Sequence, residues 1–240
     1  MTSPRPLARA SGVLYLLVGI LGGFAEGYVE PKMYVAGNAA ATAGNVVANA
    51  GLVRMGIVAD LLDATVFVFL AMALYVLLKH VHKSVARAML ILVALATGIT
   101  GLSAVFEFEG LRVATDASYG AAFGAAGSNA LVLLMLDTQH YGLLVAQIFF
   151  GLWLAPLGYL AYRSGMFPKA LGVLLVVGAA CYLVDLLAAF GLPDLARTIH
   201  AYVTIPSALA EISMVAYLLV VGVWIRRPSQ RVAAASGVAA

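Results

Sequence analysis

Residues 55–68 read MGIVADLLDATVFV and place two acids inside a mainly apolar segment that extends from Val53 to Leu78. At a rise of 1.5 Å per residue, these roughly 26 residues form a helix of about 39 Å, which is long enough to cross a bilayer. Asp60 and Asp63 are three residues apart and project from the same face of that helix. Burying an Asp at the centre of a membrane helix costs about 2.5 to 3.5 kcal/mol, so acids in this position indicate a functional site.

The composition of the whole chain is that of a multi-pass membrane protein. Hydrophobic residues make up 63% and charged residues 10% of the 240 positions, and the mean hydropathy is +1.01. Soluble domains have about 45 to 50% apolar and about 25% charged residues. The net charge of +3 comes from basic residues at the ends of apolar runs, so we expect the lipid bilayer and not nucleic acid as the partner. The single cysteine, Cys181, excludes an intrachain disulfide.

The apolar runs predict an all-α bundle of six transmembrane helices in one integral-membrane domain, residues 1–240. The predicted spans are about 10–29, 53–78, 88–109, 140–162, 170–191 and 203–225, and residues 226–240 are predicted to be a flexible cytoplasmic tail. The first run follows Arg5 and Arg9, as in a secretory signal peptide. It has spanning length, lacks a small-residue cleavage site and contains Glu26, so we interpret it as the first span.

The basic residues predict the orientation. On the N-terminal side of the spans lie Arg5, Arg9, Lys79, Lys83, Arg87, Arg163, Lys169, Arg226, Arg227 and Arg231, and on the opposite side lie Lys32, Arg54, Arg112 and Arg197. Ten of the 14 Lys and Arg residues therefore share the side of the N-terminus. Because cytoplasmic loops carry the excess of Lys and Arg, both termini are predicted to be cytoplasmic, in the plasma membrane.

The connections on the outer side are predicted to be long loops, residues 30–52 and 110–139. Within them, the apolar spacing of residues 39–52 and 128–136 favours short helices or extensions of the next span. Such segments would cover the outer end of the bundle.

Four aromatic side chains are interpreted without a functional role. His80 and His82 lie in a basic turn and are expected to be solvated. Trp153 and Trp224 are expected to face lipid or the membrane interface, where tryptophan is common.

Most of the polar side chains within the spans share one depth. With each span centred in the bilayer, Glu26, Asp60, Asp63, Glu107, Gln147, Asp185 and Glu211 all lie about 4 to 13 Å outward of the centre. His140 is expected at the outer end of its helix, and His200, in the last outer loop, is an additional candidate for the site. Helices that run in both directions place these groups in the same layer, which predicts one polar pocket in the outer half and aliphatic packing in the inner half.

The residues predicted to bind a ligand or carry protons are Glu26, Asp60, Asp63, His140, Gln147, Asp185 and Glu211. A divalent metal is one candidate ligand, held by Asp60, His140, Asp185 and Glu211, and no other cofactor is indicated. Three classes of function remain open: a small transporter or carrier for a cation or small polar ligand, a metal-dependent membrane enzyme, and a sensor or accessory subunit with a structural polar cluster. Zincin, α/β-hydrolase and P-loop motifs are absent from the sequence.

Several segments together resemble a family of small prokaryotic multi-pass membrane proteins that is catalogued as a domain of unknown function. They are residues 22–27 (GGFAEG), 54–62 (RMGIVADLL), 140–142 (HYG), 149–152 (FFGL), 157–160 (LGYL), 164–165 (SG) and 178–185 (GAACYLVD). The resemblance covers nearly the whole chain in the same order. It implies a six-helix prokaryotic membrane protein and no particular reaction. The third span departs from the family pattern, because Thr97, Thr100 and Ser103 are its only polar residues near the middle.

Overall fold

The computed structural model describes residues 4–224, apart from the side chains of residues 193, 196 and 197. This part of the chain is helical and contains no strand, as predicted. In order, the elements are α1 (Pro4–Phe24), a π-helical turn (Ala25–Val29), α2 (Glu30–Met33), α3 (Ala39–Ala48), α4 (Ala50–Leu78), α5 (Lys83–Thr115), α6 (Ala117–Ser164), α7 (Lys169–Gly191) and α8 (Pro193–Val220). The tail predicted at residues 226–240 lies outside the described residues.

Six segments are long and apolar enough to cross a membrane, which confirms the predicted number of spans. They are Pro4–Met33, Ala50–Leu78, Lys83–Thr115, Ala117–Ser164, Lys169–Gly191 and Thr198–Val220. Each span packs against the spans before and after it in the sequence, and α8 returns to pack against α1, so the six helices form a closed ring. We call the end of the ring that carries Pro4 and Lys79 the inner end, following the predicted orientation, and the opposite end the outer end.

The outer connection predicted at residues 110–139 is not a loop, and this prediction was wrong. A single residue, Asp116, joins α5 to α6, and its side chain caps α6 by accepting a hydrogen bond of 2.9 Å from the Ser118 N–H. That hydrogen bond lowers the pKa of Asp116. Gly124, with φ of +70°, kinks α6 near its start, and the helix then continues to Ser164 with Pro156 inside it. His140 consequently lies well inside α6 and does not begin its helix.

The expected short outer helices are present. Helix α3 packs against the outer parts of α5 and α6, and residues 128–136 form part of the extension of α6. Because α5 is 33 residues long, or about 50 Å, it is longer than the roughly 30 Å of a hydrocarbon core. The α5–α6 hairpin, with α3 beside its outer part, is therefore longer than an upright span needs to be.

Two apolar clusters fill the bundle, one toward each end. The inner cluster includes Phe67, Leu74 and Trp153, all fully or almost fully buried. The outer cluster includes Ile57 and Leu136. A layer of polar side chains separates the two clusters, because Asp60 and Asp63 lie between Ile57 and Phe67 on α4.

Trp153 was expected to face lipid, and the structure contradicts this. Its side chain is 1% exposed and packs inside the ring against Phe67 and Tyr15, with ring centroids 4.9 Å and 5.4 Å away. Phe150 stacks on Phe67 at 5.3 Å. We call these four side chains the aromatic layer. Because α6 faces two helices and the bundle centre, hydropathy alone did not show which side of it meets lipid.

Helices α6 and α7 cross at a pair of glycines. A Cβ atom on Gly158 would lie 2.6 Å from the carbonyl oxygen of Gly172, and one on Gly172 would lie 2.8 Å from that of Gly158. Glycine at both positions therefore permits the backbones to touch, as in other membrane helix pairs.

Candidate functional site

Asp60 and Asp63 point into the bundle from α4, with 6% and 7% of their surfaces exposed. Helix α1 runs antiparallel to this part of α4. Gly22 faces the carboxyl group of Asp63, and Val29 packs on Gly56, so Asp60 lies between these two contacts.

The π-helical turn brings two further carboxyl groups to this level. The turn covers Ala25–Val29, and the N–H of Glu30 bonds the carbonyl of Ala25, five residues back. The next residue, Pro31, has no N–H to continue the helical ladder. The turn keeps the chain helical here, so that Glu26 and Glu30 both remain beside α4. Such π turns are frequent at functional sites.

Glu107 of α5 and Gln139 of α6 face each other across the same layer. Ser103 contacts Gly142 and Gly110 contacts Leu136, and this antiparallel register places residue 107 opposite residue 139. Glu107 is 2% exposed and Gln139 is 3% exposed. Both are among the most buried polar side chains of the described chain.

The five carboxyl groups act on one another. Glu26 interacts electrostatically with Asp60, Glu30 and Asp63. Asp60 interacts with Glu30, and Asp63 with Asp60. Glu107 interacts with Asp60 and Glu30. We call Glu26, Glu30, Asp60, Asp63 and Glu107 the acid cluster.

One ion pair connects this cluster to a group that can be positive. Nδ1 of His140 lies 2.7 Å from Oε1 of Glu30, and the two side chains are 35% and 20% exposed. Among residues 4–224, no other ion pair involves the acid cluster. Five carboxyl groups therefore share one imidazole.

Tyr34 holds His140 in place at the outer edge of the cluster. Its ring stacks on the imidazole with centroids 5.1 Å apart, and its hydroxyl donates a hydrogen bond of 2.6 Å to Asp137. Burial first, and then the hydrogen bond to Asp137, raise the pKa of Tyr34 above its usual range. The hydroxyl therefore stays protonated at physiological pH.

Two buried acceptors in this layer have no hydrogen-bond partner among the described residues. They are Oδ1 of Asp63 and Oε1 of Gln139. Buried polar atoms are nearly always paired, and leaving one unpaired costs about 1 to 3 kcal/mol. The layer therefore has unused capacity for a proton or a cation.

Glu211 lies in a different contact, deeper in the bundle. Its two carboxyl oxygens accept hydrogen bonds from Tyr15 at 3.0 Å and from Tyr182 at 2.9 Å. On α1, Tyr15 is seven residues before Gly22, which faces Asp63, so this contact lies about 10 Å further inward than Asp63. Tyr182 also interacts electrostatically with Glu26 of the acid cluster.

Asp185 forms a third contact near the outer end of α7. Its oxygens lie 3.0 Å and 2.9 Å from Nδ1 of His200 on α8. The Asp185 side chain is 13% exposed and that of His200 is 65% exposed. This pair links the outer ends of α7 and α8.

Comparison with known proteins identifies the family. A family model described as a domain of unknown function, DUF4386, matches residues 10–222. The chain belongs to this family. An uncharacterized protein of Archaeoglobus fulgidus is 32% identical over 131 residues, which cover 54% of this chain and 62% of that relative's length. No solved structure matches the chain.

In this DUF4386 chain, the predicted site residues do not form one group. Glu26, Asp60 and Asp63 lie together in the acid cluster, with His140 at its edge. Asp185 and Glu211 have separate partners, and Gln147 is half-buried on α6. The four predicted metal ligands, Asp60, His140, Asp185 and Glu211, are not brought together. No three His, Cys, Asp or Glu side chains among the described residues are grouped so as to hold a metal ion.

Sequence reasoning missed four residues of these DUF4386 contacts, which are Glu30, Gln139, Tyr15 and Tyr182. His200 was an additional candidate, but its pairing with Asp185 was not predicted. A signal for Gln139 was available, since Val132, Leu136, Gln139 and Leu143 recur at helical spacing and all are buried. Tyr15 and Tyr182 also carried a signal, because a phenol inside a span needs a hydrogen-bond partner.

Proposed function

We propose that this membrane protein binds a proton or a small cation at the acid cluster, and that it acts as a carrier that moves this ion or a small polar ligand exchanged with it. The observation that carries the proposal is the Asp63 carboxyl, which is 7% exposed and has an oxygen without a hydrogen-bond partner.

The charge balance of the cluster supports ion binding. Like charges at close range, removed from water, are strongly unfavourable. Asp60, Asp63 and Glu107 are the buried members of the cluster and have no ion-pair partner among the described side chains, so protons or a cation would be needed to neutralise these three. A carboxylate that can exchange a proton for a cation is the usual element of ion-coupled transport.

The packing supports access from the outer half. His140 and Glu30 are 35% and 20% exposed at the outer edge of the cluster, whereas Asp60, Asp63 and Glu107 are buried behind them. Below the acids, the aromatic layer fills the ring. An ion could therefore reach the cluster from the outer side, while the inner side is closed in this conformation.

The test compares proton and cation binding in the same variants. Purified protein in detergent is unfolded thermally in lithium, sodium, potassium or choline chloride at equal ionic strength, from about pH 5 to pH 9. We expect one small cation to raise the melting temperature, and its effect to grow with pH as it replaces a proton; saturation at 100 Kd adds about 2.7 kcal/mol. Asp63→Asn should remove both dependences. Asp116→Asn, which changes an exposed cap outside the cluster, should keep them.

A second measurement distinguishes ion transport by the acid cluster from a purely structural role of the cluster. Infrared titration should show a protonated carboxyl band near neutral pH that Asp60→Asn or Asp63→Asn diminishes. In vesicles loaded with a pH-sensitive dye, the stabilising cation should drive a pH change that Asp63→Asn abolishes. If all carboxyls titrate near their solution values and no cation changes the melting temperature, the cluster is structural and the protein belongs with sensors or accessory subunits.

A further inference from the structure

A groove on the lipid side of the bundle leads to the carboxyl group of Glu211. The groove lies between α1 and α8 and has a volume of about 330 Å³. Its walls include Leu16, Ile20, Ile212 and Val215. Ile20 is 56% and Ile212 is 65% exposed on the outside of the helical ring, so the groove opens sideways toward lipid and not toward either aqueous phase.

Glu211 is the one ionisable acid or base in this lining, and Tyr15 is its neighbour there. Two phenol hydroxyls donate to the two oxygens of Glu211, and donors of this kind favour the ionised form of a carboxyl group. No ion pair to Glu211 occurs within residues 4–224. The two phenols therefore favour the charged carboxylate, whereas its burial opposes ionisation, so a positive partner in the groove would favour the charged form.

We propose that this groove is a binding site for a lipophilic cation, a molecule with an apolar body and one positive charge that enters from the bilayer. The apolar walls fit the body of such a molecule, and the Glu211 carboxylate fits its charge. Outside water, an opposite charge interacts several times more strongly than in solution. The ring of Tyr15 adds a surface to which cations bind. A neutral acyl chain would fill the groove but would leave the carboxylate without a counter-charge. Charge complementarity therefore favours a cation.

The site is separate from the acid cluster and does not rest on the function proposed for it. Glu211 lies about 10 Å further inward than Asp63, and its access is from lipid. The two proposals use different variants and different ligands, so either can fail alone.

The test measures binding of tetraphenylphosphonium to the purified full-length protein in a neutral detergent by equilibrium dialysis. We expect saturable binding that weakens at least tenfold in Glu211→Gln, with no comparable loss in Glu109→Gln, an acid that pairs with Arg112 elsewhere. Neutral triphenylphosphine oxide should compete poorly.

A second variant tests the groove without touching the carboxyl. Gly19 lines the groove, and a side chain there would meet no atom within 4 Å. Gly19→Leu should therefore fold normally, fill the groove and weaken binding at least tenfold. Gly98→Leu, at an equally open position on α5, should bind as the wild type does. The proposal is overturned by absence of saturable binding in the wild type, by unchanged binding in Glu211→Gln, or by unchanged binding in Gly19→Leu.

Discussion

Glu30 and His140 lie 110 residues apart in the sequence, yet Oε1 of the first is 2.7 Å from Nδ1 of the second. This contact joins the chain after the π turn to the middle of α6. It also brings the one basic side chain paired with the acid cluster to its outer edge. The contact therefore couples the geometry of the cluster to the packing of two distant segments.

Breaking this pair should destabilise the protein measurably. His140→Ala leaves the Glu30 carboxyl without its partner, and we expect a loss of about 1 to 3 kcal/mol in the free energy of unfolding. The double variant Glu30→Gln/His140→Ala should lose less than the sum of the two single variants, with a coupling of about 0.5 to 3 kcal/mol. Reversible unfolding in mixed micelles measures all four proteins, and strictly additive losses would show that the contact contributes nothing.

Tyr15→Phe should destabilise the bundle while leaving its shape unchanged. The substitution keeps the ring that packs on Trp153 and removes one of two donors to Glu211. Hydrogen bonds to charged groups contribute about 1.5 to 3 kcal/mol. Tyr159→Phe, at a position 41% exposed, should change the unfolding free energy by less than about 0.5 kcal/mol. Equal effects of the two variants would contradict a role for the Tyr15 hydroxyl.

The glycine crossing of α6 and α7 should not accept a methyl group. Gly158→Ala and Gly172→Ala each force a Cβ atom into a facing carbonyl oxygen, and we expect a loss of about 1 to 3 kcal/mol. Gly98→Ala, which meets open space, should instead stabilise the protein by about 0.5 to 1 kcal/mol through helix propensity. The free energies of unfolding of the three variants and the wild type, measured under one set of conditions, test this prediction.

Tyr34 should ionise later than an ordinary tyrosine. Because its pKa is raised in the folded protein, its contribution to stability is fully present below about pH 10, the unfolded value, and is lost as the pH rises through the folded pKa. Tyrosinate absorbance of the wild type minus that of Tyr34→Phe reports this group alone. Asp137→Asn removes the facing charge and should bring the titration to lower pH. A Tyr34 that titrates near pH 10 in both backgrounds would contradict the contact.

The orientation of the bundle remains a prediction that labelling can test. In a Cys181→Ala background, Val35→Cys and Gly120→Cys should react with an impermeant maleimide in intact cells. Arg163→Cys, in the turn between α6 and α7, should react only after permeabilisation. The reverse pattern would place both termini outside.

Much of the architecture follows from the sequence, because apolar runs of spanning length have few alternative structures in a bilayer. The depth of each residue in its span also predicted that Glu26, Asp60 and Asp63 lie in one layer, and in the structure they belong to one cluster. Depth does not specify which neighbour a helix face meets, so Asp185 and Glu211 were assigned to the same pocket although they face other helices. The first span was predicted over about residues 10–29, whereas in the structure the π turn carries the helix on to Met33.

The aromatic layer has an electrical consequence. From Asp63 to Leu78 the buried face of α4 is apolar over about 22 Å, and this segment lies inward of the acid cluster. A membrane potential falls mainly across the part of a protein that excludes water. The membrane potential therefore changes the energy of a unit charge that crosses this segment by about 2.3 kcal/mol per 100 mV. A charge that only reaches the acid cluster from outside crosses little of the potential. Voltage should consequently bias inward release from the cluster far more than loading of the cluster.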